Sequence, residues 1–185
     1  MENFAYDNYL PEYEEIDYEL IGGEKFYMSA AAPNIPHGLV IIRIATIFTN
    51  YIDKTEIQAR VLGDNVDVYF SDEDHFKPDV SVVSDLSIFG DGKRIYGAPD
   101  LIVEVLSDLT KDNDSGIKKD KYEQYGVKEY WIVDPKEKSI KVYNLVESKF
   151  KYIDEYKINS NKTKIKVSIF DNLLVDVHEV FKWWL

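Results

Sequence analysis

Pro99-Asp100-Leu101-Ile102-Val103-Glu104-Val105-Leu106-Ser107 is the stretch on which the reading of this chain turns. It is a nearly continuous apolar run, the pattern of a strand covered on both faces and therefore central in its sheet. One charge interrupts it. Strand alternation puts Glu104 on the same face as Ile102 and Leu106, opposite Val103 and Val105. An ionised carboxylate buried without a partner costs several kcal/mol unless its pKa shifts or a cation meets it. No cation adjoins Glu104 in sequence, so its partner must arrive from elsewhere in the fold.

Working outward, residues 114–125 have no Gly or Pro after Gly116, are rich in Lys and Glu, and stop at Gly126, which predicts a helix with a glycine C-cap. The strand Glu129-Tyr130-Trp131-Ile132-Val133-Asp134 follows, ended by Pro135. Upstream, 57–63, 66–71 and 78–84 read as strands, separated by Gly63-Asp64-Asn65 and by the charged stretch 71–77. Val40, Ile44, Ile47 and Tyr51 recur at helical spacing after Pro36 and predict a helix with one buried face. Tyr18 to Met28 reads as a hairpin turning at Gly22-Gly23. Downstream, 139–145, 149–157 and 163–170 read as antiparallel strands, and 175–185 closes with a short helix. The order, with a strand-helix-strand unit in the middle, predicts an α/β (α+β) fold: a mixed β-sheet flanked by helices. No repeat or linker divides the chain, so one domain over 1–185 is expected.

The chain has no cysteine, which excludes disulfides, zinc ribbons and thiol chemistry but leaves oxygen-ligand metal sites open. A formal net charge of −12 argues against a broadly basic nucleic-acid surface, so contact with DNA would be local and aided by a bound cation. The N-terminus has neither a basic nor an apolar signal region, and no stretch approaches roughly 18 uninterrupted apolar residues. A cytoplasmic protein with no membrane partner is the expectation.

Asp79, in Lys77-Pro78-Asp79-Val80, is the natural companion of Glu104. Two carboxylates from neighbouring strands make an oxygen site for a hard cation, Mg2+ or Mn2+. Plainer readings stand beside this one: Asp79 as a turn-capping aspartate, Glu104 as a strand-end residue reaching water or an arginine. On the helix, Asp114, Lys118, Lys121 and Tyr122 share one face and Lys119 is rotated away. Lys118 is a candidate to position water; the alternative is an exposed Asp114–Lys118 ion pair worth a few tenths of a kcal/mol. Tyr122, Tyr130 and Trp131 read as core rather than as a base-stacking surface.

Taken in order, KPDVSVV (77–83), YGAPDLIVEVLSDLT (96–110), the Asp114-to-Lys118 spacing, Tyr122 and GVKEYWIVDP (126–135) closely resemble the Uma-two restriction-endonuclease family of the PD-(D/E)XK superfamily. YELIGGEKFYMSAAAP (18–33) and the His37 segment resemble it more weakly. The resemblance implies a restriction-endonuclease-like fold and Mg2+-dependent hydrolysis of DNA, with Asp79 and Glu104 as metal ligands and a lysine orienting the attacking water. The slot two residues after the glutamate, where such nucleases carry that lysine, is Leu106 here. The family supplies the lysine from the following helix, and the matching position is Lys118. Glu24 and His37 become additional candidates, with Asp114 and Lys121, although a histidine at a helix start is commonly a cap or core residue. Ser107-Asp108-Leu109-Thr110 departs from the family's Ser-Pro-Ser-Thr. A homodimer is expected of an enzyme that cuts two strands. The rival expectation is a nuclease fold without activity, acting as a nucleic-acid-binding or protein-interaction module.

Overall fold

A computed structural model describes residues 18–27, 34–63, 66–90, 92, 94–107 and 114–182. The strand built on the opening stretch, β8 (Leu101–Val105), lies inside a six-stranded sheet and is buried along its whole length. Its neighbours are β6 (Val80–Val83), antiparallel, and β9 (Glu129–Asp134), parallel. Beyond β9 come β10 (Ser139–Val146) and β11 (Lys149–Lys157); beyond β6 comes β3 (Arg60–Leu62).

Alternation divides the apolar residues of this sheet between two cores. Leu101, Val103, Val105, Trp131 and Val133 face α1 (Ile35–Thr55), while Ile102, Tyr130 and Ile132 face the other way. Asn34 caps α1 by accepting the His37 N–H at 3.0 Å, and Pro36 sits in the first turn, where its missing donor costs nothing. Val40, Ile44 and Phe48 are fully buried, and Phe48 meets Trp131 edge to face at 5.5 Å between ring centres. Ile47 and Tyr51 pack at the margin of that stripe. By length and composition α1 could also cross a membrane. Helices that line the core of a soluble domain meet the same description, and this one lays its apolar stripe on the sheet.

The opposite face is covered by α2 (Ile117–Tyr125) and by a second sheet. That sheet has five short strands in the order β2 (Glu24–Tyr27), β1 (Tyr18–Ile21), β5 (His75–Phe76), β4 (Val68–Tyr69) and β7 (Ile95–Tyr96). Ile21 and Phe76 point inward to meet Ile102, Tyr122 and Tyr130. A two-stranded ribbon, β12 (Lys164–Lys166) with β13 (Leu174–Asp176), and the single turn α3 (Val177–Val180) close the large core through Ile165, Val175 and Phe181. The architecture is thus a mixed α/β fold with mixed sheets and few helices.

Several elements differ from the sequence reading. The strand expected over 66–71 is only Val68–Tyr69, and the charged stretch after it contains β5, because Phe76 is buried and His75 stacks on Tyr69. Asp114 and Ser115 are helical but Gly116 interrupts the turn, so α2 proper starts at Ile117; it ends at Gly126, left-handed at φ +84° as a C-cap glycine should be. Of 163–170 only Lys164–Lys166 is strand, and its partner Leu174–Asp176 occupies what read as the start of the closing helix. Met28, the turn residues Asp64 and Asn65, Asp91, the altered loop at 108–110 and Trp183 to Leu185 lie outside the described residues.

Candidate active site

Glu104 is 3% exposed, on the face of β8 that looks toward α2 and the five-stranded sheet. Its Oε1 accepts the Tyr122 hydroxyl at 2.6 Å and lies 3.3 Å from Lys118 Nζ. The partner that the sequence demanded is therefore a helix lysine. Lys118 Nζ also reaches Glu19 Oε1 at 2.8 Å and Asp114 Oδ1 at 3.3 Å. The i,i+4 pair of Asp114 and Lys118 does form, but buried rather than as an exposed surface pair. Tyr130 donates its hydroxyl to the Asp114 carbonyl at 2.8 Å and pins that residue in place.

Asp79 stands at the entrance to β6, where Val80 pairs with Val103 and brings its carboxylate beside Glu104. Oδ2 accepts the Val105 N–H at 2.6 Å, a bond to the neighbouring strand rather than to a turn of its own. Oδ1 lies 3.5 Å from Nε2 of His37, which α1 delivers from its first turn. His37 is a buried residue of the helix start and a neighbour of Asp79 at once.

Two expected members stand apart. Glu24 lies on the edge strand β2, opposite Ile21 and in phase with Phe26, but at the turn end of the hairpin, where its side chain is exposed and away from the cluster. Lys121 is at the margin of the α2 face and pairs with Asp74 at 2.8 Å. Asp74 also accepts the Gly22 N–H at 2.7 Å and the Tyr125 hydroxyl at 2.6 Å, so Lys121 anchors the β1–β2 hairpin to α2. The residue missed from sequence is Glu19. It occupies the same parity of β1 as Ile21, and its Oε1 additionally accepts the Lys77 N–H at 2.9 Å. A glutamate in phase with a buried isoleucine was the available signal.

Four buried carboxylates, Glu19, Asp79, Glu104 and Asp114, thus surround one lysine and one histidine. Burial, and then the charges of Asp114, Asp79 and Glu19, push the Glu104 carboxyl well above the usual range, against the pull of Lys118. Burial pulls the Lys118 ammonium down, but Glu104, Glu19 and Asp114 outweigh it and hold Lys118 well above its ordinary value. Lys118 therefore stays charged, and the crowding of negative charge is felt at Glu104, whose carboxyl is inclined to hold its proton. Burial and Glu104 together keep Tyr122 a neutral hydrogen-bond donor.

Among the described residues, no three His, Asp or Glu side chains form a ready metal cage. Magnesium needs less, because it is held through one or two carboxylates and keeps its remaining waters. Asp79 and Glu104 offer that donor set, and the surplus of carboxylates supplies the field for a cation. A groove of about 430 Å³ lies elsewhere, around Ser84, Asp100 and Lys128.

The sequence matches the Uma2 family, described as "Putative restriction endonuclease", over residues 5–171. The chain belongs to the Uma2 family. A crystal structure of a "putative nuclease belonging to DUF820" from Anabaena variabilis is similar to this chain at 22% identity and TM-score 0.70, with 95% of each chain covered. At that identity the likeness is one of fold. No curated protein matches the chain significantly. The Uma2 match takes in β1, the start of α1, β6, β8 and α2, the five elements that carry the carboxylate cluster.

Proposed function

We propose that this Uma2 protein is a Mg2+- or Mn2+-dependent endonuclease that hydrolyses DNA phosphodiester bonds. The observation that carries the reading is the juxtaposition of Asp79 and Glu104 on paired strands, with Lys118 held against Glu104 at 3.3 Å. Asp79 and Glu104 would hold the cation. When bound, it would supply stabilisation of the charge developing on the phosphate and make water more acidic. Asp79 is fixed by the Val105 N–H at one oxygen and turns the other toward His37. Tyr122 and Lys118 orient the Glu104 carboxylate through Oε1. Lys118, permanently charged, steadies a negatively charged oxygen nearby. Glu19 and Asp114 hold that ammonium in position from its other sides.

A second reading draws on the closure of Lys118 by three carboxylates: a nuclease fold that binds nucleic acid or protein without cutting. Plasmid nicking in Mg2+ or Mn2+ separates the two. The endonuclease reading expects nicking by the wild type, its loss in EDTA and in Glu104→Gln, and calorimetric Mn2+ binding that weakens in Asp79→Asn. Mn2+ binding without nicking favours the second reading, and absence of both rejects the metal site.

A further inference from the structure

The outer face of the five-stranded sheet carries one aromatic side chain from every strand. In sheet order they are Tyr27, Tyr18, His75, Tyr69 and Tyr96, from β2, β1, β5, β4 and β7. Successive ring centres are 6.1, 5.3, 4.7 and 5.7 Å apart, an unbroken ladder across the sheet. The ladder follows from register: Tyr18 pairs with Tyr27, Tyr69 with His75, and Tyr69 with Tyr96. The inward phase of the same strands is spent on Glu19, Ile21, Phe76, Val68 and Ile95. The two ends of the ladder are open, Tyr27 being 61% and Tyr96 47% exposed, while His75 is covered by its neighbours.

Cations complete the face. Lys25 Nζ stands 4.2 Å above the Tyr18 ring and the Arg94 guanidinium 5.1 Å from the centre of Tyr69. Both side chains are exposed, in a chain whose net charge is −12. Asp67, the carboxylate whose charge reaches Tyr69, is itself engaged by Lys77 at 3.6 Å. Tyr96 is also seated in advance: a Cβ at Gly90 would lie 2.6 Å from its ring, so the absent side chain there makes room for it.

We propose that this face is a base-stacking platform for single-stranded nucleic acid. Unpaired bases present a π-face to the open rings at the two ends of the ladder whatever their identity, and Lys25 and Arg94 meet the phosphates between them. A duplex hides its base faces and gains only the two phosphate contacts. Five strands at sheet spacing span about 19 Å, room for a segment of a few nucleotides, as on other sheet platforms. The surface is distinct from the carboxylate cluster: β1 turns Tyr18 outward to the platform and Glu19 inward to Lys118. This inference goes beyond the nuclease reading, and each can fail without the other.

The test is fluorescence anisotropy of a labelled oligothymidylate of about 15 nucleotides with the full chain in EDTA at low salt, against a duplex of equal length. Tyr27→Ala and Tyr96→Ala should each weaken binding of the single strand by about 5- to 100-fold, and Tyr→Phe at either position should restore it. Arg94→Ala should lower the slope of log affinity against log salt by about 0.7. Absence of binding by the wild type, equal affinity for the duplex, or wild-type affinity in both alanine variants overturns the proposal. So does Tyr27-dependent self-association in sedimentation without oligonucleotide binding, which would give the face to a second copy. Tyr27 is the more exposed ring, so if Tyr96→Ala melts early, Tyr27→Ala decides alone.

Discussion

Glu19 of β1 holds Lys118 of α2 at 2.8 Å, closer than either Asp114 or Glu104 approaches the same ammonium. The lysine of the proposed site is thus set by a residue from the far sheet as well as by its own helix. In Glu19→Gln the amide oxygen can still accept the Lys77 N–H, so only the charge on Lys118 is lost. Nicking should fall by about 10- to 100-fold, the usual cost of losing a group that orients a metal-site partner. Stability should change by less than about 1 kcal/mol, since the cluster already has negative charge to spare. The check is nicking rate alongside a melting curve; a fall in melting temperature large enough to explain the lost activity would make Glu19 a fold anchor only.

Lys118→Met removes the ammonium and leaves its carboxylates facing one another out of water. Breaking a buried pair from one side costs about 3–5 kcal/mol. The deficit should depend on pH. Glu104 already lies well above its usual range through burial and its acidic neighbours, and losing Lys118 raises it further. A raised carboxyl gives its full stability below the unfolded value and loses it as pH rises through the folded one. Urea unfolding should therefore show a large deficit at pH 8 that narrows toward pH 5. A deficit equal at both values would mean that packing of the lysine stem, not its charge, was lost.

The contrast between Glu19 and Glu104 marks how far the sequence could be read. Glu104 was legible because it breaks a long apolar run, and Asp114, Lys118 and Tyr122 because helical period puts them on one face, where all are buried. Lys121 shares that face by spacing alone; its place at the margin lets Asp74 capture it. Glu19 sits in a four-residue strand, too short for alternation to declare itself, and joins the site through a register set by the single pairing of Leu20 with His75. The strands Val68–Tyr69, His75–Phe76 and Ile95–Tyr96 have two residues each and no period to read, which is why the second sheet, and the aromatic ladder on it, came only from tertiary packing.

Asp74 ties that second sheet to α2, and its charge is what does so. Burial works against the carboxylate, but hydrogen bonds from Lys121, Tyr125 and the Gly22 N–H outweigh it and hold Asp74 below the usual aspartate range. A lowered carboxyl contributes above its unfolded pKa and loses that contribution as pH falls through the folded value. Asp74→Asn should cost about 2 kcal/mol at pH 7, and its stability should fall less steeply than the wild type's below about pH 4. Melting curves at pH 7 and pH 3 check this. Because β1 carries Glu19, the variant should also lose nicking; parallel pH profiles for the two proteins would rule out the charge as the anchor.

Glu104→Gln offers the sharpest division between a site built for chemistry and one built for folding. The amide oxygen can still accept from Tyr122 and Lys118, and Lys118 keeps Glu19 and Asp114. What disappears is a buried charge held among three other carboxylates. At pH 8, without metal, the variant should therefore be more stable than the wild type, because burial and its acidic neighbours hold the wild-type carboxyl well above its usual range. The gain should shrink toward pH 5, where the wild-type carboxyl takes up its own proton and the two side chains become nearly equivalent. Urea unfolding in EDTA across that range, beside nicking in Mg2+, measures both sides of the trade. A variant that is more stable and inactive would mean that the charge of Glu104 serves the reaction at the expense of the fold. A variant destabilised at pH 8 would mean that Glu104 is there to neutralise Lys118, and the reading of a nuclease fold that binds without cutting would gain by it.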